Sequence, residues 1–148
     1  MIKGVLLKEL TVHKDERGDL FEILRSDWQI FKKFGQAYIT VCKSGWVKGW
    51  HYHKIQTDNF CVVKGKAKIV LIDSAKKEFM EFKLSNKKPS LLSIPPNVIH
   101  GFECISKDEC WIMNIPTEIY NYKKPDEYRI SLNDSSIPYK PWKKRKGW

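Results

Sequence analysis

Residues 45–65, GWVKGWHYHKIQTDNFCVVKG, decide how this chain is read. At their centre stands His51-Tyr52-His53. Residues two apart on a β-strand project from the same face, so the two imidazoles point the same way. Asp58 lies close by. Two histidines and a carboxylate gathered like this make either a metal site or an acid–base site, and the residues alone leave both open. A second stretch, IPPNVIHGF at 94–102, adds His100, so three of the four histidines fall in two short blocks.

Outward from this centre, apolar and polar residues alternate with period two. Strands are expected over VLLKELTV (5–12), LFEIL (20–24), QAYITVC (36–42) and WVKGWHYH (46–53), and then in six short runs between Asp58 and Pro116. The turns between them carry Gly, Pro, Lys or Asn. SDWQIFKKFG (26–35) is the one expected helix: Ser26 or Asp27 can cap it, Trp28, Phe31 and Lys32 share a face, and Gly35 ends it. Many short strands joined by brief turns predict an all-β fold, an antiparallel sandwich or small barrel with room for one ligand in its mouth. No linker or repeat divides the chain, so residues 1–148 read as one domain. Residues 117–148 form a Tyr- and Pro-rich C-terminal extension expected to pack on the barrel.

Composition narrows the function classes. With 148 residues and 42% hydrophobic content the chain can bury a substantial core. No apolar run approaches the roughly 18 residues of a membrane helix, and MIKGVLLKEL lacks the apolar core of a signal peptide. The expectation is a cytoplasmic protein with no membrane partner. Cys42, Cys61, Cys104 and Cys110 show no C-x-x-C spacing and read as reduced strand residues. The net charge of +10 comes from scattered lysines and the tail KKRKGW, with no helix-turn-helix, zinc-finger or RNA-binding signature beside it. A phosphorylated small ligand accounts for the charge, and no nucleic-acid partner is expected.

The two histidine blocks resemble the two motifs of the cupin barrels. The first reads G, five residues, H-x-H, four residues, Asp58, six residues, G, with Asp where cupins usually carry Glu. The second resembles Pro-x-Gly-x-x-His, with Asn97 for Gly. The resemblance implies a cupin-type jelly-roll β-barrel. Most of the chain further resembles one branch, the dTDP-4-dehydrorhamnose 3,5-epimerases. DERGDLFEI resembles their D-x-R-G-x-F-x-E, which makes Arg17 and Glu22 nucleotide contacts, and Gln36 matches a family Gln. VKGWHYH resembles R-G-L-H-Y-Q, which makes His51 the catalytic base and Lys48 the match of a phosphate-binding Arg. IPPNVIHGF puts His100 in the site, and NDSSIPYKPW resembles the closing N-D-x-x-I-x-I-x-W-P. Asp58 stands where those enzymes carry a lysine, and Asn114 where they carry a catalytic tyrosine. The string H-x-H-K also resembles the dTDP-sugar 3,4-ketoisomerases, with Tyr38 at their active-site tyrosine.

Both reactions begin with removal of a proton beside a 4-keto group and stabilisation of the resulting enolate. The resemblance implies His51 as base. His53 is a second acid–base group, an orienter or a metal ligand, and Asp58 accepts an imidazole N–H in place of the family's dyad carboxylate. Tyr38, and after it Tyr120, is the expected donor. Arg17, Glu22, Gln36, Lys48, Asn114 and Tyr120 are expected to bind a nucleoside-diphosphate sugar. No cofactor is expected; were a metal bound, His51, His53, Asp58 and His100 would be its ligands. The resemblance also implies a homodimer whose N-terminal segment reaches the neighbour's site. The expected activity is epimerisation at C3, C5 or both in cell-surface polysaccharide biosynthesis. The alternatives are a 3,4-ketoisomerase, a metal-binding cupin and a non-catalytic sugar-binding protein.

Overall fold

The alternating runs fold into strands, and in the computed structural model no helix occurs among the described residues, 2–143 and 145–147. Met1, and Lys144 and Trp148 of the basic tail, lie outside them. Twelve strands are described: β1 (Leu6–Glu9), β2 (His13–Asp15), β3 (Gly18–Leu20), β4 (Tyr38–Lys43), β5 (Val47–Tyr52), β6 (Asp58–Lys64), β7 (Lys66–Asp73), β8 (Glu78–Ser85), β9 (Ser90–Ile94), β10 (Ile99–Cys104), β11 (Glu109–Asn114) and β12 (Tyr128–Arg129). Two five-stranded antiparallel sheets, ordered β1-β9-β6-β11-β4 and β12-β5-β10-β7-β8, make a double-sheet jelly roll. A two-stranded ribbon of β2 and β3 stands apart, paired only with itself and exposed throughout.

The central strands of both sheets are covered on both faces, while the edge strands β1, β4 and β8 are largely exposed. Their inner faces share one core that includes Phe60, Val62, Ile69, Leu71, Phe102 and Ile112. The odd-numbered residues of β6 point the other way. There Cys61 packs with Leu10, Ile30 and Leu91, under a lid of Phe21, Leu24 and Trp28. The outer face of the second sheet, with Val47, Trp50, Val70 and Ile72, is sealed by Leu132, Ile137, Tyr139 and Trp142 from the C-terminal segment. Burial on both faces is why β6 and β7 carry the continuous apolar runs FCVV and IVLI.

The expected helix at 26–35 is replaced by turns. The amides of Trp28 and Phe31 bond three residues back, to Arg25 O at 3.2 Å and Trp28 O at 2.9 Å, and Gly35 N–H bonds to Pro116 O at 3.0 Å. A ten-residue helix is marginal without packing. Here Phe21, Ile23, Leu24, Trp28 and Ile30 are drawn one after another onto the back of the first sheet, which a helix would not let them reach together. The strand expected over 20–24 is reduced for the same reason to Leu20 at the end of β3.

One irregularity positions the site. Along β10 and β5, His100 pairs with His51 but Gly101 with Gly49, so Trp50 is an extra residue, a β-bulge. The bulge breaks the alternation. Val47 and Trp50 face outward into the C-terminal cluster, while Lys48 and His51 both face the space between the sheets. Gly49 and Gly101 cross so closely that a Cβ on Gly49 would lie 2.8 Å from Gly101 Cα. Among the described residues no helix is long and apolar enough to cross a membrane.

Candidate active site

The site is assembled from both inner faces. The first sheet supplies Tyr38 and Thr40 on β4, Asp58 and Phe60 on β6 and Asn114 on β11; the second supplies Lys48 and His51 on β5 and His100 and Phe102 on β10. His53 follows β5 directly.

At the bottom lies Asp58, with both carboxylate oxygens buried and fully used. Oδ1 accepts from Gln56 Nε2 at 2.7 Å and Asn114 Nδ2 at 2.9 Å. Oδ2 meets His100 Nε2 at 3.1 Å and His53 Nε2 at 3.2 Å. Burial alone would raise this carboxyl, but the hydrogen bonds from His100 and His53 hold it well below the usual carboxylate range. For His53 burial disfavours the charge, yet the hydrogen bond and charge of Asp58 outweigh it and raise the imidazole above its ordinary value.

The tautomers of these two rings follow from their other nitrogens. His100 Nδ1 donates to Val98 O at 2.9 Å, and His53 Nδ1 donates to Asp126 O. A carbonyl has no proton to give, so each Nδ1 carries the hydrogen. Contact of each Nε2 with a carboxylate then calls for a second proton, making imidazolium, or for a cation among them. The ligand atoms of His51, His53, Asp58 and His100 all lie within 4.8 Å of one another. Three imidazoles and one carboxylate, with two rings held by backbone carbonyls, are a donor set that fits Fe, Mn, Ni or Zn.

His51 differs from its neighbours. Its Nδ1 is buried with no hydrogen-bond partner, and its ring centroid lies 4.1 Å from that of His100. Burial, and then the positive charge of His100, push it well below the usual imidazole range. It is a neutral base at neutral pH. Tyr38 rises on the facing sheet, with its hydroxyl accepting from Asn114 Nδ2 at 2.8 Å. Burial, followed by the charge of Asp58, pushes this phenol up to about 12, so it keeps its proton. A cavity of about 150 Å³ separates the two walls, lined by Tyr38, Thr40, Lys48, His51, Phe60, Phe102, Glu127 and Arg129. Pockets that enclose a whole ligand are about 300–1,000 Å³, so this one takes a single ring while the remainder lies across the mouth.

Of the residues expected from the sequence, His51, His53, Asp58, His100, Tyr38 and Asn114 come together, and Lys48 lines the cavity while donating to Thr40 Oγ1 at 2.9 Å. Gln36 and Tyr120 are joined to each other, Tyr120 N–H donating to Gln36 Oε1 at 3.2 Å, and neither lines the cavity. Arg17 sits in the exposed ribbon, paired with Asp15 at 2.7 Å, and Glu22 pairs with Arg25 at 2.6 Å. Gln56, Asp126, Glu127 and Arg129 were not expected. Asp126 accepts the amides of Lys54, Ile55 and Gln56 at 2.9, 2.9 and 3.0 Å and so holds the loop that carries His53.

A family model described as polysaccharide biosynthesis C-terminal domain matches residues 13–128. The chain is 35% identical over 144 residues to the spore coat polysaccharide biosynthesis protein SpsL of Bacillus subtilis (strain 168), covering 94% of this chain and 95% of that one. It is 32% identical over 136 residues to the probable low-salt glycan biosynthesis epimerase Agl13 of Haloferax volcanii, covering 87% of each. The crystal structure of a dTDP sugar isomerase from Desulfovibrio desulfuricans G20 superposes with a TM-score of 0.85 at 26% identity, over 93% of this chain and 90% of that one.

Proposed function

The chain belongs to the polysaccharide biosynthesis C-terminal domain family, and from that membership we propose that it is an isomerase epimerising C3, C5 or both of a nucleotide-linked 4-keto-6-deoxysugar for cell-surface polysaccharide. The names of its relatives, an epimerase of glycan biosynthesis and a dTDP sugar isomerase, support the reaction class. One observation carries the assignment: a neutral imidazole and a protonated phenol face each other from opposite sheets across a ring-sized cavity. Epimerisation needs that arrangement. His51 takes the proton beside the ketone, the electron pair moves to the ketone oxygen, and Tyr38 returns a proton to the other face. Burial, and then the charges of His100 and His53 held on Asp58 beneath it, keep His51 neutral.

Lys48 is the phosphate contact at the mouth, acting as a point charge. Arg17, at the turn of the β2–β3 ribbon, and Glu22, just after it, serve the nucleotide from the second chain of a homodimer, which fits a ribbon that makes no pairing with its own sheets. Gln36 and Tyr120 border the nucleotide rather than the ring, and Asn114 acts on substrate through Tyr38 and Asp58. A 3,4-ketoisomerase would use the same base and return the proton to C4.

The proton count at the two Nε2 atoms favours a second reading, in which His51, His53, Asp58 and His100 hold a divalent transition metal. Such an ion would polarise the ketone oxygen, and His51 would then be a ligand and not the base. One experiment addresses both readings. Protein analysed for bound metal is incubated with 4-keto sugar nucleotides in D2O. The acid–base reading expects deuterium at C3 or C5 with the ketone still at C4, undiminished by prior chelation. It expects His51→Asn to exchange at least about 10²-fold more slowly. About one metal per chain, lost on His100→Ala together with exchange, selects the metal reading. A ketone found at C3 selects the ketoisomerase.

A further inference from the structure

Once His51 has removed the proton, negative charge builds on the ketone oxygen, and a cavity that accelerates the step must meet that charge with a fixed donor. The charged groups at the bottom of the site are committed elsewhere. Asp58 is an anion, and His53 and His100 are turned to it. Tyr38 is the acid of the opposite wall. The cations on the cavity wall are Lys48 and Arg129. Lys48 is committed to Thr40 Oγ1 at 2.9 Å, and it also borders a separate cavity of about 340 Å³ with Val41, Cys42 and Trp46.

Arg129 is placed by strand geometry beside the base. Trp50 and Ile130 exchange both backbone hydrogen bonds, at 3.2 and 2.9 Å. The next pair along, His51 and Arg129, is therefore of the non-hydrogen-bonded kind, in which the Cα atoms approach to about 4.5 Å and the side chains are closest. Paired residues share a face, so Arg129 lines the cavity from the same wall as the imidazole, at its open edge, with its side chain 61% exposed. Glu127, two residues earlier on that face, accepts from Arg129 Nε at 2.6 Å and orients the planar fork.

We propose that Arg129, oriented by Glu127, is a catalytic residue that donates to the enolate oxygen formed when His51 deprotonates the 4-keto sugar. No bond to Arg129 forms or breaks. Its N–H groups stabilise the oxygen until the carbon is reprotonated and the electron pair returns to the C–H bond. The inference rests on the isomerase reading above.

The test compares wild type, Arg129→Ala and Arg129→Lys in D2O exchange with saturating 4-keto sugar nucleotide, alongside the affinity of each for the nucleoside diphosphate. Loss of one such donor typically slows turnover by about 10²–10³-fold. Arg129→Ala is expected to lose that much in kcat, to bind the nucleoside diphosphate within a few-fold of wild type, and to recover part of its rate when guanidinium is added to the assay. Arg129→Lys falls between. Wild-type exchange with an unimpaired Arg129→Ala leaves the isomerase standing and overturns the role of Arg129. A loss confined to nucleoside-diphosphate affinity overturns it in favour of a phosphate contact. A loss that guanidinium does not restore, with a lowered melting temperature, makes the side chain a structural prop. A wild type that exchanges nothing across the panel removes the isomerase reading and the inference together.

Discussion

Asp58 shows how one residue sets the charge state of a whole site. Its carboxylate is buried beneath four donors, two of them imidazoles. Removing one partner of a buried charge cluster typically costs about 3–5 kcal/mol, because the remaining charges lose their counterion. Asp58→Asn is expected to lose that much at pH 6, measured by urea unfolding of metal-free protein. The pH dependence has a definite sign. The folded pKa of Asp58 lies below its ordinary value, so its contribution is complete above about pH 4 and disappears as the pH falls through the folded value. His53 is raised, so its contribution is complete below about pH 6.5 and is lost as the pH rises through its folded value. The difference between wild type and Asp58→Asn should therefore be largest between these limits and shrink on both sides. A difference unchanged from pH 3 to pH 9 would mean that Asp58 acts by shape and not by charge. At this scale the sequence was most readable. His51, His53, Asp58 and His100 announced themselves by type and spacing. Asn97, which stands at the glycine of the second motif, adopts the left-handed conformation that explains why a glycine or asparagine belongs there.

Among the elements, β5 decides the geometry. The bulge at Trp50 turns Lys48 and His51 to the same side, three residues apart on a strand, and it holds only because Gly49 and Gly101 let the two strands cross. Gly49→Ala would set a methyl 2.8 Å from Gly101 Cα, and Gly101→Ala would set one 2.9 Å from both Gly49 Cα and Lys48 O. Overpacking of this kind costs about 1–3 kcal/mol. Either substitution should lower the urea midpoint accordingly and slow exchange further than the stability loss explains, since it moves His51 relative to His100. Normal activity in a destabilised Gly49→Ala would show that the bulge serves folding alone. Legibility fell at this scale, for identifiable reasons. Period two predicts which residues share a face, but a single inserted residue reverses every assignment after it, and no residue type marks Trp50 as the insertion. The segment 26–35 had caps and apolar spacing suited to a helix, yet its apolar groups are spread over the back of the first sheet, a partner no local pattern reveals. Arg129 lies in a two-residue strand, too short to show any alternation, and Glu127 lies in the loop just before it.

At the scale of the molecule, the layered design explains how a shallow cavity gains a complete site. The C-terminal segment seals the outer face of the second sheet with Leu132, Ile137, Tyr139 and Trp142, and on its way there supplies Asp126, Glu127 and Arg129 to the inner side. The N-terminal segment covers the back of the first sheet, but its β2–β3 ribbon projects, with Arg17 at its turn and Leu20 62% exposed at its end. A ribbon of two strands is marginally stable alone and gains by pairing with or packing on another surface. If that surface is a second copy, each cavity takes His51 from one chain and Arg17 from the other, and the two residues can be separated genetically. Arg17→Ala and His51→Asn homodimers should each turn over poorly at subsaturating substrate. When the two are unfolded together and refolded in equal amounts, random pairing makes half of the dimers mixed. Each mixed dimer carries one site with both residues intact and one with neither, so the mixture should recover about a quarter of the wild-type rate. If Arg17 serves the cavity of its own chain, every site in every dimer lacks one of the two residues, and mixing restores nothing. A monomer would give the same null result but would be recognised by its mass in solution, so the experiment separates a shared site from a private one and both from a chain that works alone.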